Sequence, residues 1–380
     1  MRVAIVTETF SPNVNGVVRT VLEFAQYLRR HGHDAIVFAP GEGDDVAAGV
    51  PVVRIHGAPF PLYPELMLAP FSLRMTPIMR EWRPDLVHLA SPFVLGAHGL
   101  KVARSLRVPV AAHYQTDLAA YAEYFGLGAL ARLAWRRLLD IHNACDVNFA
   151  PTLSIAHDLR ARGMRRVHIS GRGVDTRAFH PRLRDLSWRR RFTQDDDRPI
   201  LLYVGRVSPE KNLSALAEVA RALPECPMVI VGDGPARGLL QSLVAGANVH
   251  FTGVLRGLDL ATAYASSDIF VFPSESETFG QVVREAMASG LPAVGVRAGG
   301  VQDLIVEGET GLLCPPSNVA EIVAATQRLV ADAALRRALG AGARAEAERH
   351  TWNAVFDHLM GWYAGLVTPL ESPLEITGVE

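Results

Sequence analysis

The sequence predicts an α/β protein of two doubly wound domains, each built on a parallel sheet. Short apolar runs of strand length alternate with longer amphipathic patterns through almost the whole chain, and such runs are typical of strands buried on both faces of a sheet. The alternation breaks once, at a charged segment near residue 185, and then restarts. The length of 380 residues suits two domains, because a domain commonly has ~100–200 residues.

The first half contains six strand candidates separated by helical patterns. They are Val3–Thr7, Ala35–Ala39, Val52–Ile55, Leu86–Leu89, Val110–His113 and Val147–Ala150. Amphipathic spacing predicts helices over Val17–Arg30 and Leu95–Leu106. Because continuous apolar strands between helices indicate a parallel sheet, residues 1–185 are predicted to form a first Rossmann-like domain.

The second half repeats this organisation after a charged segment. Arg182–Arg198 contains three consecutive arginines and three consecutive aspartates, a pattern typical of a solvated linker. Strand candidates then recur at Ile200–Val204, Met228–Val231, Val249–Thr252, Ile269–Pro273 and Ala293–Val296. Residues 186–351 are therefore predicted to form a second Rossmann-like domain. A further helical pattern runs through Trp352 and Trp362, and the composition beyond Pro369 is typical of a loosely ordered tail.

Composition and charge exclude several classes of protein. Apolar residues make up 49% of the chain and charged residues 20%, which indicates a globular protein with sizeable cores. A net charge of -1 argues against a dedicated nucleic-acid-binding protein. This total hides an asymmetry, because residues 1–190 carry +8 and residues 191–380 carry -9. The basic half is compatible with an anionic membrane surface, although its arginine bias is also typical of a GC-rich genome.

Three features predict a cytoplasmic protein. The cysteines Cys145, Cys226 and Cys314 are far apart and match neither a disulfide framework nor a metal-ligand spacing. The N-terminal residues enter a strand pattern directly, without the pattern of a signal peptide. No apolar run approaches the ~18–20 residues that span a bilayer. We therefore expect a cytoplasmic location, with peripheral contact to the inner face of the cell membrane still open.

The strongest candidate binding motif follows the first strand of the second half. Gly205 ends this strand, and Arg206 and Lys211 stand at the start of the next helix. Because helix N-termini present unpaired backbone N–H groups and the two cations add positive charge, the pattern favours a diphosphate ligand. A solvent-exposed helix start has a similar composition, but Lys211 is one of two lysines in the chain, which favours the phosphate interpretation.

Two glutamates follow a later strand candidate. Glu277 lies in the loop after Ile269–Pro273, and Glu285 lies within the following helix. An ionised carboxylate accepts several hydrogen bonds, so each is a candidate to hold sugar or ribose hydroxyls. The backbone N–H groups of Phe279 and Gly280 would face the same ligand. The alternative, that the glutamates complement the helix dipole, explains Glu277 better than Glu285.

Other candidates give weaker signals. Gly232, after a strand, allows close approach to a ligand or simply shapes a tight turn. Gly16, at a helix start, would admit a phosphate or a sugar. His113 ends a strand, where ligands of α/β proteins bind, and Asp117 is an orienting group, a base toward an acceptor hydroxyl or a helix cap. The apolar stretch Pro59–Leu68 is typical of a loop that contacts lipid or packs on its own domain.

These residues together resemble family 4 of the retaining glycosyltransferases, which have the GT-B fold of two Rossmann-like domains facing a cleft. The resemblance covers nearly the whole chain and is carried by Asn13–Gly16, Gly205–Asn212, Gly232–Gly234 and the pair Glu277 and Glu285. A narrower resemblance to bacterial GDP-mannose-dependent α-mannosyltransferases of glycolipid and lipoglycan synthesis is carried by Leu86–Pro92, Tyr114–Asp117 and Arg172–Asp175.

The resemblance implies roles for the candidate residues. The donor-binding set would be Gly16, Gly205, Arg206, Lys211, Gly232, Val254, Arg256, Glu277, Phe279, Gly280 and Glu285, and the catalytic set would be His113, Arg206, Lys211 and Glu277. Within these sets the two cations would neutralise the diphosphate, Glu285 would hold the ribose, and the backbone around Val254–Arg256 would read the base. His113 would touch the transferred sugar, and Tyr114 and Asp117 would lie on the acceptor side.

The implied reaction is transfer of a hexose, mannose from GDP-mannose, onto a lipid-linked or glycan acceptor. It would retain the anomeric configuration by a front-face mechanism and would need no metal or other cofactor. The acidic cluster Asp195–Asp197 lies in the predicted linker, where a solvated run of charge is favoured over a metal site. The final helix, within residues 352–380, would cross back onto the first domain.

Three alternatives stay open. UDP-sugar-dependent glucosyl- or sulfoquinovosyltransferases that act on diacylglycerol share similar segments. A nucleotide-sugar epimerase with the GT-B fold would act without an acceptor, and the arrangement of Glu277 and Glu285 argues against it. A regulatory protein that only binds nucleotide is disfavoured because every charged site residue is present.

Overall fold

The computed structural model describes residues 1–13, 15–60, 63–69, 72–115 and 128–368. The chain divides into two compact units. The first unit contains Met1–Pro151, Ala156–Ser170 and the residues from Val355 onward, and the second contains Thr152–Ile155 and Gly171–Ala354. Each unit is a parallel-sheet α/β structure, so the predicted α/β class of two doubly wound sheets is confirmed.

The first unit contains an eight-stranded sheet and a separate two-stranded one. In chain order the strands are β1 (Arg2–Thr7), β2 (Asp34–Pro40), β3 (Val46–Ala47), β4 (Val50–Ile55), β5 (Ala58–Phe60), β6 (Tyr63–Leu68), β7 (Leu86–Ala90), β8 (Val110–His113), β9 (Val147–Ala150) and β10 (Val167–Ile169). The order across the large sheet is β10-β9-β8-β7-β1-β2-β4-β3, with β3 antiparallel to β4 and the other pairs parallel. The strand order therefore reverses between β1 and β7.

Helices cover this sheet because their apolar residues recur on one face. The helices of the first unit are α1 (Gly16–Arg30), α2 (Met75–Trp82), α3 (Leu95–Ser105), α4 (Gly128–Asn143), α5 (Leu153–Ala161, which begins in the second unit) and the final helix α13 (Trp352–Val367). In α1 the buried residues Val17, Val21 and Leu28 share the face that packs on the sheet. The predicted helices over Val17–Arg30 and Leu95–Leu106 are confirmed to within one residue at each end.

The second unit has one six-stranded sheet in which every adjacent pair is parallel. Its strands are β11 (Leu201–Val204), β12 (Met228–Val231), β13 (Val249–Gly253), β14 (Ile269–Phe272), β15 (Ala293–Val296) and β16 (Gly311–Cys314). The order is β13-β12-β11-β14-β15-β16, so it reverses between β11 and β14. Ligands of open α/β sheets bind outside the carboxyl ends of the strands at such a reversal.

The helices of the second unit lie between these strands and after them. They are α6 (Leu186–Arg189), α7 (Leu213–Ala222), α8 (Arg237–Leu243), α9 (Gly257–Ser266), α10 (Gln281–Ala288), α11 (Val319–Ala331) and α12 (Ala333–Arg349). Apolar side chains of β11, β12 and β14 are fully buried and form one core with α7 and α10. All eleven predicted strands are found, whereas β3, β10, β16 and the pair β5 and β6 were not predicted.

The predicted solvated linker agrees with the exposed side chains of Arg182–Arg198 but is wrong at Trp188 and Arg189, which are buried. The Arg189 side chain is 1% exposed, and its Nη1 donates to Asp268 Oδ2 at 2.7 Å and to the Ser266 carbonyl at 2.8 Å. This ion pair ties the segment to the second unit, while most of its other side chains, among them the aspartates at 195–197, are exposed. The run of arginines resembled a linker because the partner carboxylate is distant in sequence.

The units also divide at a different point from the predicted boundary at 185/186. Residues 171–185 lie with the second unit, because Val174 and Phe179 are buried in its core. The final helix joins the first unit from Val355 onward, and Phe356 packs against Phe24 with a ring-centroid distance of 5.0 Å. The predicted loose tail beyond Pro369 lies outside the described residues.

The apolar stretch Pro59–Leu68 belongs to two antiparallel strands. β5 and β6 pair through Ala58 with Leu68 and Phe60 with Tyr63, and residues 61 and 62 lie outside the described residues. The stretch was predicted as a loop because its prolines break an apolar run. A two-stranded sheet tolerates proline because both of its strands are edge strands, in which a missing backbone N–H need not break a hydrogen bond to a neighbour.

Candidate active site

Two distant motifs meet at the strand-order reversal of the second unit. Lys211 follows β11 and Glu277 follows β14, and the Lys211 Nζ donates to Glu277 Oε1 at 2.6 Å. The Ser274 hydroxyl donates to the same oxygen at 3.1 Å. The two charged side chains are only 14% and 20% exposed, so the ion pair is largely shielded from water. Each of the two residues was predicted separately from the sequence, and the fold brings their side chains into contact.

Arg206 precedes Lys211 by five residues but is more exposed to solvent than the ion pair. Its side chain is exposed, and among the described residues no hydrogen bond or ion pair engages its guanidinium. Its carbonyl accepts a hydrogen bond from the Tyr203 hydroxyl at 3.0 Å, which holds the backbone in place. A fixed backbone that carries an uncompensated guanidinium is suited to recognise an anion such as a phosphate.

The loops after β11 and β12 are in direct backbone contact. A Cβ atom added to Gly232 would lie 1.9 Å from the Gly205 carbonyl oxygen, and one added to Gly234 would lie 2.3 Å from that of Val207. The amide of Val207 also donates to the Asp233 carbonyl at 3.0 Å. Close packing of the two loops therefore requires glycine at 232 and 234. This agrees with the prediction that Gly232 shapes a tight turn.

The loop that carries Glu277 is clamped against a pair of glycines. The Gly300 amide donates to the Glu277 carbonyl at 2.7 Å, and a Cβ atom at Gly299 would lie 2.5 Å from the same oxygen. Gly280 is the N-cap of α10 and has a φ of +93°, a left-handed backbone conformation that favours glycine. Phe279 is 2% exposed and belongs to the core, which leaves its backbone rather than its ring for a ligand.

Glu285 lies deeper than Glu277. It is 3% exposed within α10, and its Oε2 accepts a hydrogen bond from the Tyr264 hydroxyl at 3.1 Å. Tyr264 is itself fully buried, so it fixes the orientation of this carboxylate. Tyr264 lies within an alanine-rich helix, and nothing in the surrounding sequence indicates that its hydroxyl contacts a carboxylate.

Arg172 is a charged residue of this region to which the sequence analysis assigned no role. It is 8% exposed, and its guanidinium carbon lies 5.9 Å from the centroid of the Phe279 ring. Burial lowers the pKa of Arg172 to about 10, and the negative charge of Glu277 opposes this shift. The next carbonyl, that of Gly173, accepts a hydrogen bond from the Gln281 side chain at 3.0 Å, so Arg172 is held beneath the loop of Glu277.

The residues expected to read a base lie after β13. Val254 is 60% exposed, and Arg256 is exposed at the N-terminus of α9. Leu258, in the first turn of that helix, is 68% exposed. An apolar surface beside an arginine is suited to cover the face of a planar ring.

In the first unit, Gly16 begins α1, but its neighbours are already engaged. The Asn15 Oδ1 accepts hydrogen bonds from the amides of Val17 and Val18, each at 3.0 Å. Asn15 is thus an ordinary N-cap, and these two donors are not open to a phosphate.

His113 ends β8 in a buried position. It is 6% exposed, its Nε2 lies 3.2 Å from the Tyr363 hydroxyl, and its ring stacks on that of His88 at a centroid distance of 4.4 Å. Tyr114 is 3% exposed. Asp117, the second candidate on the acceptor side, lies outside the described residues.

Comparison with known proteins shows the family to which the chain belongs. A family model described as Glycosyltransferase Family 4 matches residues 14–178, and one described as Glycosyl transferases group 1 matches residues 185–346. A GDP-mannose-dependent alpha-mannosyltransferase of Mycolicibacterium smegmatis is 43% identical over 97% of this chain and 98% of its own. The chain belongs to glycosyltransferase family 4. The predicted family and enzyme class are confirmed.

Two further comparisons extend this result. The sulfoquinovosyl transferase SQD2 of Arabidopsis thaliana is 36% identical over 90% of this chain and 69% of its own. A sucrose-phosphate synthase structure from Thermosynechococcus elongatus has a TM-score of 0.81 at 21% identity, covering 96% of this glycosyltransferase and 98% of that chain. The structural match supports the fold, and the predicted GT-B fold is confirmed.

The described part of this glycosyltransferase contains neither a cluster suited to a metal ion nor a helix suited to span a membrane. Within residues 1–13, 15–60, 63–69, 72–115 and 128–368, no group of three or more His, Cys, Asp or Glu side chains is arranged to hold a metal ion. Over the same residues, no helix combines the length and the apolar character needed to cross a bilayer.

Proposed function

We propose that this glycosyltransferase moves mannose from GDP-mannose onto a lipid-linked or glycan acceptor, with retention of the anomeric configuration. The observation that carries the proposal is the Lys211–Glu277 ion pair at the strand-order reversal, together with the uncompensated Arg206 five residues before Lys211 in the segment after β11. The mannose donor is supported by the names of the relatives at about 40% identity, among them the one from M. smegmatis.

In this proposal the second unit stabilises the leaving diphosphate without a metal. Arg206 offers two parallel N–H donors to phosphate oxygens, and an ammonium has three donors, so Lys211 binds phosphate and keeps its bond to Glu277. The N-terminus of α10 adds positive potential. Such fixed donors stabilise charge that develops on the leaving group, which is the main catalytic requirement of the transfer.

The carboxylates hold the donor's hydroxyl groups. Glu277 Oε1 is engaged by Lys211 and Ser274, so the carboxylate is oriented before the sugar binds. Glu285, oriented by Tyr264, holds the ribose, and the exposed Val254 and Arg256 contact the base. His113 of the first unit contacts the transferred sugar, and Tyr114 and Asp117 lie on the acceptor side.

Kinetics with a panel of sugar nucleotides test this proposal. Transfer from GDP-mannose should fall by roughly 10²–10³-fold in kcat/KM for Arg206→Ala and for Lys211→Ala. Arg349→Ala is the matched control, because that side chain is 74% exposed on α12 of the same unit. Near-normal turnover in either site variant would overturn the assignment. Preference for a UDP-sugar with diacylglycerol as acceptor would instead favour the glucosyl- or sulfoquinovosyltransferase alternative.

Metal independence is a separate part of the proposal. The expected result is that EDTA leaves the rate of mannose transfer unchanged, because Arg206 and Lys211 supply the positive charge. Loss of activity in EDTA that returns with Mn²⁺ would contradict it.

We also propose that the enzyme works at the inner face of the cell membrane as a peripheral protein. Helix α4 supports this, because Arg132, Leu133, Arg136 and Arg137 are all exposed on it, and Leu133 is 63% exposed. Arginines around an apolar side chain suit an anionic lipid surface. The measurement is flotation with anionic liposomes at low salt: wild type should float, and a variant with Arg132, Arg136 and Arg137 changed to Gln should not. No flotation of the wild type would remove the membrane from the proposal.

A further inference from the structure

A buried hydroxyl in the first unit joins two histidines. The Tyr363 Oη of α13 lies 2.6 Å from His88 Nδ1 and 3.2 Å from His113 Nε2. Tyr363, His88 and His113 are 0%, 2% and 6% exposed, and the two imidazole rings stack. The three groups therefore form one cluster, which is inaccessible to bulk water.

The chemistry of the cluster couples the protons of the two rings. A phenol has one proton, so its oxygen donates to one imidazole and must accept an N–H from the other. O–H donors make shorter hydrogen bonds than N–H donors, and the 2.6 Å contact is the shorter of the two. The distances thus indicate that Tyr363 donates to His88 Nδ1 and accepts from the Nε2–H of His113.

Both partners of His113 are held in their neutral forms. Burial lowers the pKa of His88 to about 3 and raises the pKa of Tyr363 well above its ordinary value. Since the protonated phenol donates to His88, the Tyr363 oxygen is left as the acceptor for the Nε2–H of His113.

We propose that Tyr363 is a positioning residue for transfer: through the hydroxyl it shares with His88, it fixes the orientation and the Nε2–H tautomer of the His113 ring. The inference deepens the proposed function and rests on the role given there to His113. The final helix thereby serves the site as well as the fold.

The docking of α13 explains why this contact is well defined. Asp357, six residues before Tyr363, accepts a short hydrogen bond from the Tyr27 hydroxyl of α1. Phe24 of α1 packs on Phe356, His88 and Tyr363. Tyr27 therefore anchors the same helix without contacting His113, which makes it a matched control.

The kinetic experiment compares Tyr363→Phe with Tyr27→Phe in the full chain. Tyr363→Phe keeps the ring and removes the shared hydroxyl, so kcat should fall by roughly 10–100-fold with a donor KM near that of wild type. Tyr27→Phe loses one hydroxyl contact to the same helix and should keep kcat within about twofold. Equal losses in the two variants would mean that helix docking alone matters, and this would overturn the inference.

A double-mutant cycle tests whether Tyr363 acts through His113. Tyr363→Phe should have no further effect on kcat in a His113→Gln background, because the residue it positions is absent. Additive losses would contradict the inference. If His113→Gln itself transfers at the wild-type rate, the role of His113 in the proposed function fails.

An NMR measurement separates these two failures, because it does not depend on activity. In protein labelled with ¹⁵N at the histidine rings, with His113 assigned by its loss in His113→Gln, the spectrum should show a neutral ring protonated at Nε2. The tautomer should become mixed in Tyr363→Phe and stay unchanged in Tyr27→Phe. A wild-type ring protonated at Nδ1, or one indifferent to Tyr363→Phe, would overturn the inference whatever the kinetics show.

Discussion

The two units present a helix N-terminus at the same topological position and use it in opposite ways. In the first unit, Glu8 follows β1, and its carboxylate accepts the amides of residues 93–96 at the start of α3, at 2.7–3.1 Å. In the second unit, Gly205 and Arg206 follow β11, and α10 begins at Gly280, which has no side chain to cap it.

The difference shows how one architecture yields a structural site and a binding site. A helix N-terminus attracts an anion. The first unit supplies an acceptor from its own chain: Glu8 is 2% exposed and bonded to four amides, and these hydrogen bonds oppose the rise in its pKa that burial causes. The second unit places cations at the equivalent position, so the anion is left to the donor.

The largest expected effect comes from giving the second unit the charge of the first. Arg206→Glu should lower kcat/KM for donor by more than roughly 10³-fold, because a carboxylate repels the diphosphate. Arg206→Gln removes the charge without reversing it and should cost about 10²-fold. Thermal melting should be unchanged in both, since Arg206 is exposed. Equal activity of the Glu and Gln variants would show that charge at this position does not act on the donor.

The converse experiment removes the carboxylate that caps α3 in the first unit. Glu8→Ala leaves four amides at the buried start of α3 without their acceptor, and this should lower the free energy of unfolding by about 3 kcal/mol. Glu8→Gln keeps one acceptor oxygen and should cost less. Urea unfolding followed by circular dichroism measures both. A change below about 0.5 kcal/mol for Glu8→Ala would mean that water replaces the carboxylate without cost.

A smaller effect is expected beneath the loop of Glu277. Arg172→Met keeps an extended side chain against Phe279 but removes the buried positive charge, and kcat/KM should fall by roughly 10–100-fold. Arg172→Lys keeps the charge and should recover part of the loss. Steady-state kinetics, with melting temperatures as the check on folding, give the comparison. Equal activity of the Met and Lys variants would assign Arg172 a packing role alone.

Much of this arrangement could be predicted from sequence, and the part that could not has a physical cause. Lys211 and Glu277 were predicted because each directly follows an apolar strand, and the carboxyl ends of parallel strands share one edge of the sheet. The partnership of His113 and Tyr363 joins residues 250 positions apart on a strand and a helix. Nothing periodic marks that contact. For the same reason Arg189 resembled a linker residue, since its partner Asp268 is 79 positions away in the sequence.

The last prediction concerns the pH dependence of stability, to which two histidines of the first unit with strongly lowered pKa values contribute. Burial lowers the pKa of His88 to about 3 and that of His142 to about 4, both in the first unit. In the unfolded chain these rings become protonated below pH ~6.5, whereas in the native unit they stay neutral down to a lower pH. The free energy of unfolding should therefore fall as the pH drops from about 6.5 toward 4, by about 1.4 kcal/mol per pH unit for each ring.

The decisive measurement is the pH slope rather than stability at one pH. His142→Phe removes one such ring, so its slope between pH 6 and 5 should be smaller than that of wild type by about 1.4 kcal/mol per pH unit. His157→Phe is the control, because that side chain is 82% exposed on α5, and its slope should stay near that of wild type. An unchanged slope in His142→Phe would mean that this ring is protonated in the native unit. The first unit would then carry a buried positive charge on α4.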